Sequence, residues 1–231
     1  MGETIGGALA ICLAWGAFGL IHSLPCRSWA KRDAERVCGP AFLAGLYRPL
    51  YTLLSTAALL WLWFFPQNLA GDFPIFALPG ALRFLPLMIK TGAAVLIAAC
   101  FRQISFWEFL GIAQLSRKFR GDLGGLPPTP PGALPMAHGD EPLAAAGVYL
   151  WVRHPLNTAA FVWIWAQGIY TLYNLTFAAC LTAYILIANR WEEKDLIARY
   201  GPAYERYRGI VPAFFSGFSD MGAHAEMLRG E

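Results

Sequence analysis

Two polar clusters, Arg153-His154-Pro155 and Arg190-Trp191-Glu192-Glu193, flank an apolar stretch of the chain. A helix rises about 1.5 Å per residue and a bilayer core is about 30 Å thick, so that stretch reads as two spans joined by a tight turn. The turn returns the second cluster to the membrane face of the first. Arginine, histidine and paired carboxylates are costly beside lipid unless they are paired or used, which makes this mouth a binding-site candidate. Pro155 suits the first turn of a helix, where its missing N–H is not needed. The free N–H groups of that turn then point into the mouth, beside Arg153 and His154, and favour a carboxylate or phosphate.

These side chains must be positioned by membrane helices. The chain is 57% hydrophobic and 14% charged, whereas ordinary soluble domains carry about 25% charged residues. The expectation is an all-α, polytopic bundle of about five transmembrane helices with a C-terminal amphipathic cytoplasmic helix. Spans are predicted at 5–24, 47–65, 84–101, 156–172 and 175–189, with the hairpin turn at Tyr173-Asn174. Residues 73–79 are too short and proline-rich to span and read as an interfacial connection. The organisation expected is one domain over 1–231: three N-terminal spans in 1–101, a cytoplasmic loop in 102–153, the hairpin and amphipathic helix in 154–212, and a tail in 213–231. The run Leu126-Pro127-Pro128-Thr129-Pro130-Pro131 cannot be helical and is read as a lid or a passive linker.

Lysine and arginine cluster on one side. Arg27, Lys31, Arg32, Arg36 and Arg48 lie in the first connection, Arg102, Arg117, Lys118, Arg120 and Arg153 in the third, and Arg190, Lys194, Arg199, Arg206, Arg208 and Arg229 in the tail. The opposite connections carry only Arg83. This positive-inside pattern predicts an N-terminus outside and both polar clusters in the cytoplasm. The first span lacks a basic leader and is expected to be retained. Five cysteines, Cys12, Cys26, Cys38, Cys100 and Cys180, imply neither a disulfide framework nor a metal site. The net charge of +3 argues against a nucleic-acid partner.

After the last span, Leu196, Ile197 and Tyr200 recur at helical spacing until Gly201-Pro202 ends the segment. Other candidates stand apart from the hairpin: Glu108 within the aromatic stretch 105–111, His22 at the end of the first span, and Lys90, without an assigned role, inside the third.

The order Gly147-x-Tyr149-x-x-x-Arg153-His154-Pro155, an apolar hairpin, then Glu192-Glu193-x-x-Leu196-x-x-x-x-Gly201-x-x-Tyr204-x-x-Tyr207-x-x-x-Val211-Pro212 resembles the integral-membrane methyltransferases. That superfamily includes isoprenylcysteine carboxyl, phospholipid and methanethiol methyltransferases and the NnrU-like proteins. His22-Ser23, Tyr47-x-x-x-Tyr51-x-x-x-Ser55 and Phe106-Trp107-Glu108-Phe109-Leu110-Gly111-x-x-Gln114 are similar to the methanethiol S-methyltransferase and NnrU-like branch. Asn157 stands where tyrosine commonly follows Arg-His-Pro-x, and Ala159 where glycine is common.

The resemblance implies S-adenosylmethionine as cofactor, held by Tyr149, Arg153, His154, Pro155, Glu192 and Glu193, with a small thiol or other lipid-soluble acceptor and a bacterial inner-membrane location. Alternative acceptors are an isoprenylated cysteine carboxylate or a phospholipid amine. Methyl transfer from a sulfonium is an in-line displacement in which positioning supplies much of the rate. For a thiol acceptor, Arg153, Arg190 or His22 could stabilise the thiolate and Glu108 could take the proton. Readings from other classes are a haem-binding electron carrier with His22 and His154 as axial ligands, and a non-catalytic NnrU-like accessory protein.

Overall fold

The computed structural model describes residues 2–64, 72–121, 145–215 and 221–229. The proline-rich run at 126–132, read from sequence as a lid or linker, lies outside these residues. Almost all the described secondary structure is helical. Among the described residues, three helical stretches are long and apolar enough to cross a membrane: Gly6–Ser23, Gly80–Cys100 and Leu172–Tyr200. The described residues group into two compact units, one within 1–79, 106–125 and 169–184, the other within 80–105, 126–168 and 185–231.

In the first unit, α1 (Gly2–Ser23) stops just before Leu24-Pro25, since proline disfavours a helical conformation in the residue preceding it. Next come the basic helix α2 (Ser28–Cys38) and the short α3 (Pro40–Gly45). The helix α4 (Tyr47–Phe64) packs against α1. It forms at the expected second span but is not among the three apolar stretches, because its first turn, Tyr47-Arg48-Pro49, is polar. Trp15 anchors the interior, its ring 4.9 Å from that of Phe177 and 5.4 Å from that of Phe18.

The aromatic stretch at 105–111 forms α6 (Phe106–Leu110), followed by α7 (Ile112–Arg120). Gly111 joins them at φ +83°, and a Cβ there would sit 2.6 Å from the Pro49 nitrogen. Left-handed backbone costs an L-residue about 1–2 kcal/mol before any clash is counted. Gly111→Ala is therefore expected to lower stability by at least that amount, read as an earlier thermal unfolding transition of the detergent-solubilised protein.

The connection predicted at 73–79 contains a strand. β1 (Pro74–Ala77) pairs antiparallel with β2 (Ile169–Thr171), with Ala77 opposite Ile169 and Phe76 opposite Tyr170. Thr171 Oγ1 then accepts the Asn174 N–H at 3.1 Å and the Asp72 carboxylate accepts that of Tyr173 at 2.9 Å. Both cap the start of α9 (Leu172–Tyr200). Tyr173-Asn174 is thus the first turn of a helix, not the hairpin turn expected from sequence.

In the second unit, a 3-10 turn (Gly80–Phe84) leads into α5 (Leu85–Cys100), which packs against α8 (Pro155–Trp165). Ala93 and Ala159 are buried, and small side chains of this kind let membrane helices approach closely. At 11 residues, α8 is about 16 Å long and covers half a bilayer core. The fourth span expected at 156–172 is therefore a half-length helix. Gln167 ends it by donating from Nε2 to the Ile164 carbonyl at 2.8 Å, and its Oε1 accepts from Lys90 Nζ at 3.3 Å. Lys90 also lies 5.8 Å from the Trp163 ring centre, so its charge has polar and aromatic partners within the helical layer.

With 29 residues, α9 is about 43 Å long, exceeding the roughly 30 Å core by about two turns. No separate helix forms where an amphipathic one is expected among the described residues: that segment is the continuous end of α9, which Gly201-Pro202 terminates. Then follow α10 (Pro202–Ile210) and α11 (Met221–Arg229). Tyr200, Tyr204, Tyr207, Val211, Ala145 and Leu228 form a buried core around these ends.

Candidate functional site

The polar set at the start of α8 is built from three directions. A 3-10 turn (Gly147–Leu150) opens at Gly147 with φ +55°, where a Cβ would lie 2.5 Å from the Gln103 side chain. That close approach explains the glycine ahead of Tyr149. The turn leads to Arg153 and His154, whose backbone N–H groups donate to the carbonyls of Pro212 at 2.8 Å and Ala213 at 3.0 Å. Pro155 then opens α8 and is fully buried.

Arg153 holds the set together. Its Nε and Nη2 donate to Glu193 Oε1 at 2.9 and 2.5 Å, and its Nη1 donates to the carbonyls of Arg208, at 3.0 Å, and Val211. The guanidinium thus joins α9 to the end of α10. His154, also buried, brings Nε2 to 3.2 Å from the same Glu193 oxygen and packs its ring against Phe214. All these contacts fall on Oε1. Among the described residues no donor reaches Glu193 Oε2, and the neighbouring Glu192 side chain is 55% exposed, 4.0 Å from His154 Nδ1.

One layer along the same helices, Asn157 Nδ2 donates to Asn189 Oδ1 at 2.8 Å. Asn189 is buried, and its own Nδ2 has no partner among the described residues. Turning both amides over would exchange the roles and leave an oxygen there instead, so either assignment leaves one buried polar atom to satisfy. The pairing gives Asn157, a departure from the superfamily pattern, a definite partner. Sequence reading did not foresee it, although Asn189, one helical turn before Glu193, lies on the same face.

The tyrosines after Gly201 support the set from below. Tyr207 donates from its hydroxyl to the Tyr149 carbonyl at 2.6 Å, fixing the 3-10 turn against α10. Burial raises the hydroxyl pKa of Tyr207, Tyr204 and Tyr149 above the ordinary phenol value, with the Glu193 charge adding to the effect at Tyr204 and Cys100 and Glu192 adding to it at Tyr149. Tyr207 acts as a neutral hydrogen-bond donor and Tyr149 and Tyr204 as neutral packing groups, the buried Tyr204 hydroxyl having no hydrogen-bond partner among the described residues. Nearby, an open apolar cavity of about 450 Å3 is lined by Val95, Leu96, Ala99, Val148, Trp151 and Met221.

Of the residues singled out from sequence, Arg153, His154, Pro155, Glu193 and Glu192 come together here, with Tyr149 adjoining. Arg190 is exposed and outside the hydrogen-bonded set. His22 and Glu108 belong to the other compact unit. There Glu108 forms a two-point ion pair with Arg117, Oε2 accepting from Nη2 at 3.1 Å, which occupies the carboxylate proposed from sequence as a proton acceptor.

No family model matches the chain, and no solved structure does. Curated proteins do. The methanethiol S-methyltransferase of Mycobacterium tuberculosis is 31% identical over 208 residues, 90% of this chain and 78% of that one. Methanethiol S-methyltransferase 2 of Bradyrhizobium diazoefficiens is 30% identical over 213 residues, 92% and 73% of the two chains. The methanethiol S-methyltransferase of Pseudomonas deceptionensis is 28% identical over 199 residues, 84% and 67% of the two.

Proposed function

Because the chain belongs to the methanethiol S-methyltransferase family, we propose that it transfers a methyl group from S-adenosylmethionine to methanethiol or a similarly small, lipid-soluble thiol. The reaction is set at the Arg153–His154–Glu193 cluster. The observation that carries this reading is the set of unspent polar atoms in one place: Glu193 Oε2 and the exposed Glu192 as acceptors, and one unsatisfied polar atom of the buried Asn189 amide. S-Adenosylmethionine has an ammonium and ribose hydroxyls to donate and a carboxylate to accept, so the donor set fits it. When bound, it supplies an electrophilic methyl group for in-line attack by a thiolate.

Each residue then has a task. Glu192 and Glu193 bind the donating groups of the cofactor, and the N–H groups at the start of α8 favour its carboxylate. Arg153 is a positioning residue: its guanidinium is spent on Glu193 and on the end of α10, and it orients the carboxylate instead of meeting the thiolate. His154 shares that task through Nε2. Tyr149, Tyr204 and Tyr207 hold the site rigid and neutral. Orientation of the reacting groups is the main source of rate in such a displacement, and in well-oriented systems contributes about 7–11 kcal/mol. An apolar acceptor reaches the second unit from the lipid side, where the open cavity offers it an apolar wall.

The arrangement of lysine and arginine along the sequence supports an N-terminus outside and a cytoplasmic site in a bacterial inner membrane. Titrating the detergent-purified protein with S-adenosylhomocysteine in a calorimeter tests the cofactor reading. Saturable one-site binding is expected, and absence of heat from well-folded protein would remove it.

A further inference from the structure

The apolar cavity of the second unit is far larger than methanethiol needs. On α5, Gly92, Val95, Leu96 and Ala99 recur at i, i+3, i+4 and i+7, so one face of that helix supplies a wall of the roughly 450 Å3 space. Val148 and Trp151, in and just after the 3-10 turn ahead of Arg153, supply more of the lining, with Met221 at the start of α11. These parts are fastened together. The buried His224 of α11 donates from Nδ1 to the Leu150 carbonyl at 2.7 Å, and Tyr207 donates to the carbonyl of Tyr149.

One end of the cavity adjoins the polar set. Ala99 precedes Cys100, and Tyr149 stands between Val148 and Trp151 in the chain. Burial raises the Tyr149 hydroxyl pKa and both Cys100 and Glu192 add to it, so this phenol is within electrostatic reach of the end of α5 and of the Glu192 carboxylate. From Ala99 the lining climbs two turns of α5, about 10 Å, to Gly92. Gly92 and Val95 are exposed on a membrane-crossing stretch, which opens the far end to lipid. A Cβ on Gly92 would meet nothing within 4 Å, so the glycine leaves that end free. At about 30 Å3 per heavy atom, the share of one water in the liquid, methanethiol occupies about 60 Å3 and a six-carbon thiol about 210 Å3. The longer thiol fits with room to spare.

We infer that this cavity receives the alkyl chain of linear thiols longer than methanethiol, to about six carbons, and that Gly92 sets the length accepted. The inference rests on the methyl-transfer reading and extends its acceptor class. The thiol sulfur lies at the end formed by Ala99 and Val148, and the chain runs along α5 toward Gly92. The thiol gives its proton to water. Its sulfur then bonds to the methyl carbon as the bond from that carbon to the sulfonium breaks, leaving an alkyl methyl sulfide and S-adenosylhomocysteine. Each methylene taken from water into an apolar wall favours binding about fourfold, so chain length is read in kcat/KM.

The test compares methanethiol with 1-hexanethiol on the full-length purified protein at fixed S-adenosylmethionine, each methyl sulfide being followed by mass spectrometry. The kcat/KM for 1-hexanethiol should be at least about tenfold the higher, and Gly92→Leu, which fills the far end, should cut it about tenfold while leaving methanethiol within about twofold. A second readout needs no turnover. An alkanethiol with a terminal diazirine, photolysed on the protein, should label peptides containing residues 92–99 and 148–151, and either excess 1-hexanethiol or Gly92→Leu should suppress that labelling. If Gly92→Leu lowers the unfolding transition followed by circular dichroism, Val95→Phe provides the same comparison. The inference is overturned if 1-hexanethiol is no better a substrate than methanethiol, if a folded variant loses both thiols equally, or if labelling persists in it. Absence of turnover with both thiols would remove the methyl-transfer reading itself, and this inference with it.

Discussion

Arg153→Met should destabilise the protein by about 3–5 kcal/mol, the usual cost of removing one partner from a buried ion pair. The Arg153 side chain is 9% exposed and that of Glu193 17%, so neither charge has much water to fall back on. Among the described residues, the substitution leaves the Glu193 carboxylate with only His154 Nε2 at 3.2 Å and strips the Arg208 and Val211 carbonyls of this donor. Methionine keeps most of the side-chain volume, so the loss reports the polar contacts and not a cavity. Arg153→Lys should recover only part of it, since a single ammonium cannot reproduce the fork that serves α9 and α10 together. Thermal unfolding of the three detergent-purified proteins, followed by circular dichroism, measures the series. Equal transition temperatures would mean that the clamp contributes nothing.

The second large effect separates two neighbouring carboxylates. Glu193→Ala should cost about 3 kcal/mol or more of stability, because it leaves the buried Arg153 unpaired, and it should also weaken S-adenosylhomocysteine binding. Glu192 is different: its side chain is mostly exposed, and its nearest described partner, His154 Nδ1, is at 4.0 Å. Glu192→Ala should therefore change stability by no more than about 0.5 kcal/mol while reducing affinity about tenfold, or 1.4 kcal/mol. Calorimetric titration beside thermal unfolding distinguishes the two. If Glu192→Ala binds as tightly as the parent protein, Glu192 does not touch the cofactor.

What could be read from sequence divides along physical lines. The extents of α1 and α5, the stop at Gly201-Pro202 and the meeting of Arg153-His154 with Glu193 follow from local rules: apolar length, proline and glycine placement, helix rise. Residues 156–172 failed for a non-local reason. They are mostly apolar, and the helix ends at Trp165 because Gln167 caps it and because Ile169–Thr171 pairs with a strand almost a hundred residues earlier. No local pattern announces that pairing.

The site shows the same division. Sequence marked Arg153 as a ligand-binding cation, but its engagement with the Arg208 and Val211 carbonyls depends on where α10 ends, which only the fold determines. Asn157 was visible as a departure from a pattern. Its partner Asn189 was hidden because a lone asparagine in an apolar run carries no signal until another polar group faces it. Glu108 and His22 drew attention as polar residues in apolar surroundings, and both prove to have their own partners, Arg117 and Tyr51.

The most direct test of the account is a methyl-transfer assay with the purified full-length protein, S-adenosylmethionine carrying a trideuterated methyl group, and methanethiol, with the headspace analysed by mass spectrometry. The account predicts dimethyl sulfide containing one trideuterated methyl group, accumulating with time and abolished when either substrate is left out. Failure of the folded protein to form labelled dimethyl sulfide would contradict it.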